Sequence, residues 1–190
     1  MSPIADPRKK EGKKMKKRLV TWSVLVIMVI SIVSCAAPAY AARSSGTYPT
    51  RKGTILVTSD VYKNLIPTGH AAIVWNSAKV IEAVARGVVW GNNNWRQTKK
   101  NIYGLTVKGT TAAQDAKAAD WCRKQIGKKY NYNYFNKSTR AKFYCSQLVW
   151  AAFKDLYRID LDTSLFTKFA IHPMELVYTN RTSLIYRYSK

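Results

Sequence analysis

Apolar residues from residue 54 onward recur first with a period near two and later with a period near 3.6. Thr54–Thr58, Ala71–Trp75, Val80–Val84, Gly87–Trp90 and Ile102–Val107 are short runs rich in β-branched and aromatic residues, separated by turn formers. They predict strands, and their close spacing predicts an antiparallel meander. Asn92-Asn93-Asn94 with Trp95 reads as a loop, because Asn tolerates left-handed backbone. The pattern then turns helical. A helix is expected from Thr111 to Ile126, with Ala112, Ala113, Ala116, Ala119 and Cys122 in loose period and Gly127 as its stop. A second is expected from about Cys145 to Tyr157, with Leu148, Val149, Ala152, Phe153 and Leu156 on one stripe. An aromatic segment, Tyr130 to Phe135, lies between them, and a last strand is expected from Leu184 to Tyr188. Strands followed by helices indicate an α+β fold, and there is no internal repeat.

The first 45 residues follow neither period. Eight Lys and Arg between Arg8 and Arg18 precede an uncharged stretch from Leu19 to Ala42, most apolar from Val24 to Val33, and Ala39-Tyr40-Ala41 supplies an A-x-A cleavage step. That is the pattern of an export signal over residues 1–41. Two alternatives share the same outward direction: an uncleaved membrane anchor, and lipidation at Cys35, where Ile32-Val33-Ser34-Cys35 has the form of a lipobox. Met15, directly before Lys16-Lys17-Arg18, is an alternative start. Residues 42–52 lack periodicity and read as a linker, leaving 53–190 as the domain.

Composition sharpens this picture in one respect. The formal net charge is +22 over 190 residues, from 32 Lys and Arg against 10 Asp and Glu. The signal removes eight basic and two acidic residues, so +16 remains. Twelve Tyr, six Trp and five Phe exclude a low-complexity basic tail. Lys99-Lys100 and Lys128-Lys129 beside tyrosines have the composition of a nucleic-acid surface, but an export signal argues against that partner. Outside the cell, an anionic wall polymer or a membrane surface accounts for the same charge, with a merely solvated basic face as the plain alternative.

Few residues here can carry chemistry. Cys122 falls mid-helix between Trp121 and Arg123 and reads as a small buried hydrophobe. Cys145 stands at the start of a predicted helix, where backbone N–H groups and the helix dipole favour thiolate. A buried structural thiol is the alternative there. His70 opens a strand after Gly69 and could equally be a packing histidine. Glu82 lies inside the strand Lys79 to Val84, where a half-buried carboxylate needs a partner. His70 and Glu82 are twelve residues apart with a turn at Asn76-Ser77 between them, which brings them to neighbouring positions on paired strands. A zinc site from His70, His172, Cys122 and Cys145 lacks any closely spaced ligand pair. A Cys122–Cys145 disulfide would block the reactive thiol and is not expected.

Gly53-Thr54-Ile55-Leu56, Gly69-His70-Ala71-Ala72-Ile73-Val74, Val80-Ile81-Glu82-Ala83, Gly127-Lys128-Lys129-Tyr130-Asn131 and Phe143-Tyr144-Cys145-Ser146-Gln147-Leu148-Val149-Trp150 occur in that order. This ordered set, across residues 53 to 178, resembles the permuted branch of the NlpC-type papain-like hydrolases, in particular the YaeF/YiiX/YycO group. The resemblance implies a papain-like core, circularly permuted so that the His strand precedes the Cys helix. It implies Cys145 as nucleophile, His70 as base, Glu82 as the third member, and Tyr130 as a tyrosine in the substrate cleft. No metal and no cofactor is expected. His172, before Pro173, reads as structural. Gln147 departs from the pattern, which more often has an acidic residue there.

The resulting expectation is an exported, monomeric cysteine amidase or peptidase acting on peptide amides of the cell wall through an acyl-thioester. A thiol acyltransferase or lipid esterase would share that intermediate. A non-catalytic basic wall-binding module with a vestigial Cys-His pair is the third reading.

Overall fold

Four strands, β2 (Ile55–Thr58), β3 (His70–Val74), β4 (Lys79–Val84) and β5 (Gly87–Asn92), form the expected antiparallel meander. In the computed structural model the described residues are 43–61, 69–166 and 168–190. The export signal at 1–41, the lipobox at Cys35 and the alternative start at Met15 lie outside them. The turn from β3 to β4 is set by Asn76, whose Oδ1 accepts the N–H groups of Ala78 and Lys79 at 2.9 and 2.8 Å.

The meander stops at β5. A short helix, α1 (Trp95–Thr98), leads into β6 (Asn101–Val107), which pairs with β2 on the far side of β3. With β1 (Arg43–Ser45) and the closing strand β9 (Thr182–Ser189), the sheet order is β1-β9-β6-β2-β3-β4-β5. Trp95 explains the crossing. It is buried with Leu56, Ala72, Val74, Val80 and Ile102, so the β5–β6 connection covers one face of the sheet. Trp95, read as part of a loop, thus belongs to a core, while Asn92 and Asn94 beside it stay exposed.

The other face carries the two long helices. Helix α2 (Ala112–Arg123) begins on a capping box: Thr111 Oγ1 accepts the Gln114 N–H, and Gln114 Oε1 accepts the Thr111 N–H. Helix α3 (Cys145–Tyr157) packs against β3, β4 and α2. Leu148, Val149, Ala152 and Phe153 meet Ile55, Val57, Ile73 and Ile81 there. Both faces being covered, all of β3 is buried. A parallel pair, β7 (Lys129–Tyr130) with β8 (Lys142–Phe143), and the short helix α4 (Glu175–Tyr178) complete an α+β fold.

The linker read at 42–52 is corrected over its described part. Arg43–Ser45 pair with Arg187–Ser189 as an edge strand. The Tyr48 hydroxyl donates to Asn93 Oδ1 at 2.8 Å and accepts the Trp95 N–H at 3.1 Å. Pro49 lies against Gly104, where an added Cβ would meet its Cγ at 2.5 Å. These contacts are individual and non-repeating, so no period announces them.

Candidate active site

Strand β3 begins at His70, and α3 begins at Cys145. Packing of α3 on β3 brings the two starts together, and the His70 ring hydrogen-bonds the Cys145 sulfur. Ala72 faces Glu82 across β3 and β4, so His70 and Glu82 are diagonal neighbours on one face of the sheet. His70 Nε2 lies 2.6 Å from Glu82 Oε2. The three residues singled out from the sequence therefore stand in one chain, Cys145–His70–Glu82. Tyr130 is adjacent: it is buried, feels the charge of Cys145, and its ring centroid is 4.8 Å from that of Tyr132.

Electrostatics favour an ion pair. Burial opposes a charged His70 ring, but hydrogen bonds and charge from Cys145 and Glu82 outweigh it and raise its pKa to about 9. Burial likewise opposes a Cys145 thiolate. The His70 hydrogen bond and charge, with the backbone N–H groups of Ala71 and Ser146, overcome that and lower the thiol pKa. Glu82 is also kept ionised against burial, by His70 and by the charges of Lys99 and Arg86. The Ser146 N–H belongs to the first turn of α3, so the start of the helix contributes to holding the sulfur.

Cys122 is as fully buried as Cys145 but has different partners. Its Sγ lies 3.7 Å from the Leu148 carbonyl, and burial alone pushes its thiol up. Both cysteines are free thiols. His172 sits away from this chain of groups, stacked on Phe166 at 4.4 Å with Nδ1 accepting the Met174 N–H.

The roles of three supporting groups escaped the sequence reading. Trp95 is buried with its ring 5.7 Å from that of His70, tilted by 32°. Gly91 leaves room for the Glu82 carboxylate: a Cβ there would come within 2.3 Å of Oε1 and 2.7 Å of Cδ. Gln147 is fully buried and acts through its amide. Its Nε2 donates to the Lys137 and Thr139 carbonyls, both at 3.1 Å, while Oε1 accepts from Asn131 Nδ2 and the Tyr144 N–H. A carboxylate could not donate to those carbonyls, which explains the departure at this position. A spacing pattern reveals none of these, because each acts across the chain.

Gly91→Ala tests the space behind Glu82. The closest approach is to the flexible Glu82 carboxylate, with the Val80 Cγ2 methyl next at 2.9 Å, so the largest displacement falls on the link to His70. The expected result is a loss in kcat of roughly 10- to 100-fold with KM little changed. The alkaline limb of the pH profile should fall from about 9 toward the ordinary imidazole range. An unmoved limb would show Gly91 to be packing alone.

Comparison with known proteins agrees with this architecture. The family described as "permuted papain-like amidase enzyme, YaeF/YiiX, C92 family" matches residues 56–182. The uncharacterized protein YycO of Bacillus subtilis (strain 168) is 31% identical over 150 residues, which cover 75% of this chain. The matched region spans 59% of that relative's length. The crystal structure of yiiX from Escherichia coli O157:H7, described as a metalloprotein, superposes with a TM-score of 0.57 at 15% identity. The match covers 73% of this chain and 97% of that one, and shows a shared fold. Among the described residues of the present chain, no three His, Cys, Asp or Glu side chains are grouped to hold a metal ion.

Proposed function

This chain belongs to the permuted papain-like amidase family, YaeF/YiiX branch, and from that premise we propose that it is an exported cysteine amidase or peptidase using Cys145, His70 and Glu82. The observation that carries the reading is the Cys145–His70–Glu82 chain, with His70 Nε2 2.6 Å from Glu82 Oε2. Cys145 thiolate attacks the amide carbonyl, and the oxyanion that forms takes hydrogen bonds from N–H groups at the start of α3. The His70 imidazolium gives its proton to the leaving amine as the C–N bond breaks, leaving an acyl-thioester. Neutral His70 then takes a proton from water, which attacks the thioester; the acid departs and the Cys145–His70 pair is restored. Glu82 holds the ring's orientation and stabilises its charge. Tyr130, beside Cys145, borders the acyl group.

The substrate class we favour is a peptide amide of the cell wall. Its support is the export pattern in residues 1–41 and the excess positive charge, which suits an anionic wall or membrane surface. No cofactor enters any step, and the chain is taken to act as a monomer. The test is incubation of the full chain with wall-peptide digests and, separately, with defined acyl lipids. Release of new amino termini from the digests is the expected result. Turnover of acyl esters alone would replace the amidase reading with that of a lipid esterase or acyltransferase.

A further inference from the structure

Two chain segments meet beside the start of α3. One joins β7 to β8 and carries Phe135 and Lys137. The other joins α3 to α4 and carries Asp162, Leu165, Phe166, Lys168 and Phe169. The Lys137 ammonium pairs with the Asp162 carboxylate, and the rings of Phe135 and Phe169 meet edge-on at 5.6 Å.

The second segment is fastened to the residues flanking Cys145. The Ser146 hydroxyl donates to the Ile171 carbonyl at 2.6 Å, and the Ile171 N–H donates to the Tyr144 hydroxyl at 3.0 Å. The buried Glu175 carboxylate accepts the N–H groups of Phe166 and His172 at 3.1 and 3.0 Å. These hydrogen bonds give the rim a fixed position relative to the nucleophile.

On this anchored frame, Phe135, Leu165, Phe166, Phe169 and Tyr178 are between 50% and 75% exposed. The Phe166 ring lies 6.0 Å from that of Tyr178 and the Phe135 ring 5.6 Å from that of Phe169, so four of the five exposed side chains stand in contacting pairs. Single exposed apolar residues are ordinary, but an adjoining group on a braced frame marks an interaction surface.

We propose that this aromatic rim seats the Cys145 face of the protein on an anionic lipid surface. Charge singles out that occupant. Lys168, between Phe166 and Phe169, is exposed. The carboxylates of the same segment are spent elsewhere: Asp162 on Lys137, Asp160 on Lys154 and Trp150, and Glu175 on backbone N–H groups. The rim therefore offers apolar rings and a cation with no uncompensated acid. Aromatic side chains between water and hydrocarbon, with lysine reaching the headgroups, form the signature of interfacial binding. A soluble polyanion would engage the lysine and gain nothing from the rings.

Hydrogen exchange on the full chain tests this with any amino-terminal anchoring held constant. The chain is mixed with phosphatidylglycerol vesicles, with phosphatidylcholine vesicles, or with soluble polyphosphate. Peptides carrying Phe135, Phe166 and Phe169 should exchange several-fold more slowly with phosphatidylglycerol than in the other two mixtures. A Phe135→Ser, Phe169→Ser double variant should lose that protection while keeping the wild-type melting temperature, since both rings are exposed. Equal exchange in the two vesicle types, protection by polyphosphate as strong as by phosphatidylglycerol, or protection retained in the double variant would each overturn the proposal. The readout does not use turnover, so it stands apart from the fate of the hydrolase reading.

Discussion

In the proposed mechanism, Cys145→Ala should abolish turnover and leave the fold intact. Removing the nucleophile of a catalytic triad costs on the order of 10⁴-fold or more, because the remaining groups only orient substrate and polarise its carbonyl. The loss to stability is small by comparison. Alanine removes one sulfur atom from a thiol that sits where α3 meets β3, and Leu148, Val149, Ala152 and Phe153 still hold the helix on the sheet. Circular dichroism and thermal melting of the variant should match the wild type, while hydrolysis of any substrate found for the wild type should disappear. The companion measurement is alkylation. Iodoacetamide at neutral pH should modify Cys145 and spare Cys122, whose thiol burial pushes up and whose sulfur faces the Leu148 carbonyl. Retained hydrolysis in Cys145→Ala would remove this residue from the mechanism.

His70→Gln should have the next largest effect. It removes both the hydrogen bond and the positive charge that outweigh the burial of Cys145, so the thiol pKa rises. Alkylation of Cys145 at pH 7 should slow on the order of tenfold or more, with its pH profile displaced to the alkaline side. Turnover should fall further, because the variant also lacks a proton donor for the leaving amine. In the wild type, activity should decline as pH rises through about 9, where His70 loses its proton. The same shift bears on stability. A histidine raised above its ordinary pKa of 6.5 stabilises the fold fully below that value, and the contribution is lost as pH rises through about 9. Glu82 acts in the opposite sense: its contribution is present above the ordinary carboxylate range and is lost as pH falls through its lowered pKa. An alkylation profile identical to wild type in His70→Gln would break the proposed ion pair.

Much of this arrangement is legible residue by residue. Helix α3 spans Cys145–Tyr157 as its period predicts, and β4 runs from Lys79 to Val84. The Asn76 turn fixes the β3–β4 register, and register alone makes His70 and Glu82 neighbours. Helix α2 ends at Arg123 rather than Ile126; turn hydrogen bonds from Gln125 and Ile126 carry the chain on to Gly127. The linker at 42–52 and the loop at Asn92–Trp95 were the illegible parts, and they interlock with each other. Tyr48, Pro49, Asn93 and Trp95 are partners across more than forty residues.

What the amino-acid sequence determined by itself is therefore the set of local decisions: where strands and helices run, that Cys145 begins a helix, and that a turn places Glu82 near His70. Those follow from side-chain period, capping and turn chemistry, which act within a few residues. Tertiary structure alone decided that β6 crosses to β2, that Gly91 makes room for the Glu82 carboxylate, that Trp95 lies beside His70, and that Phe135 meets Phe169. Each of these is a contact between distant parts of the chain, settled by which surfaces fit once the sheet has closed, and such fits leave no repeating mark in the order of residues.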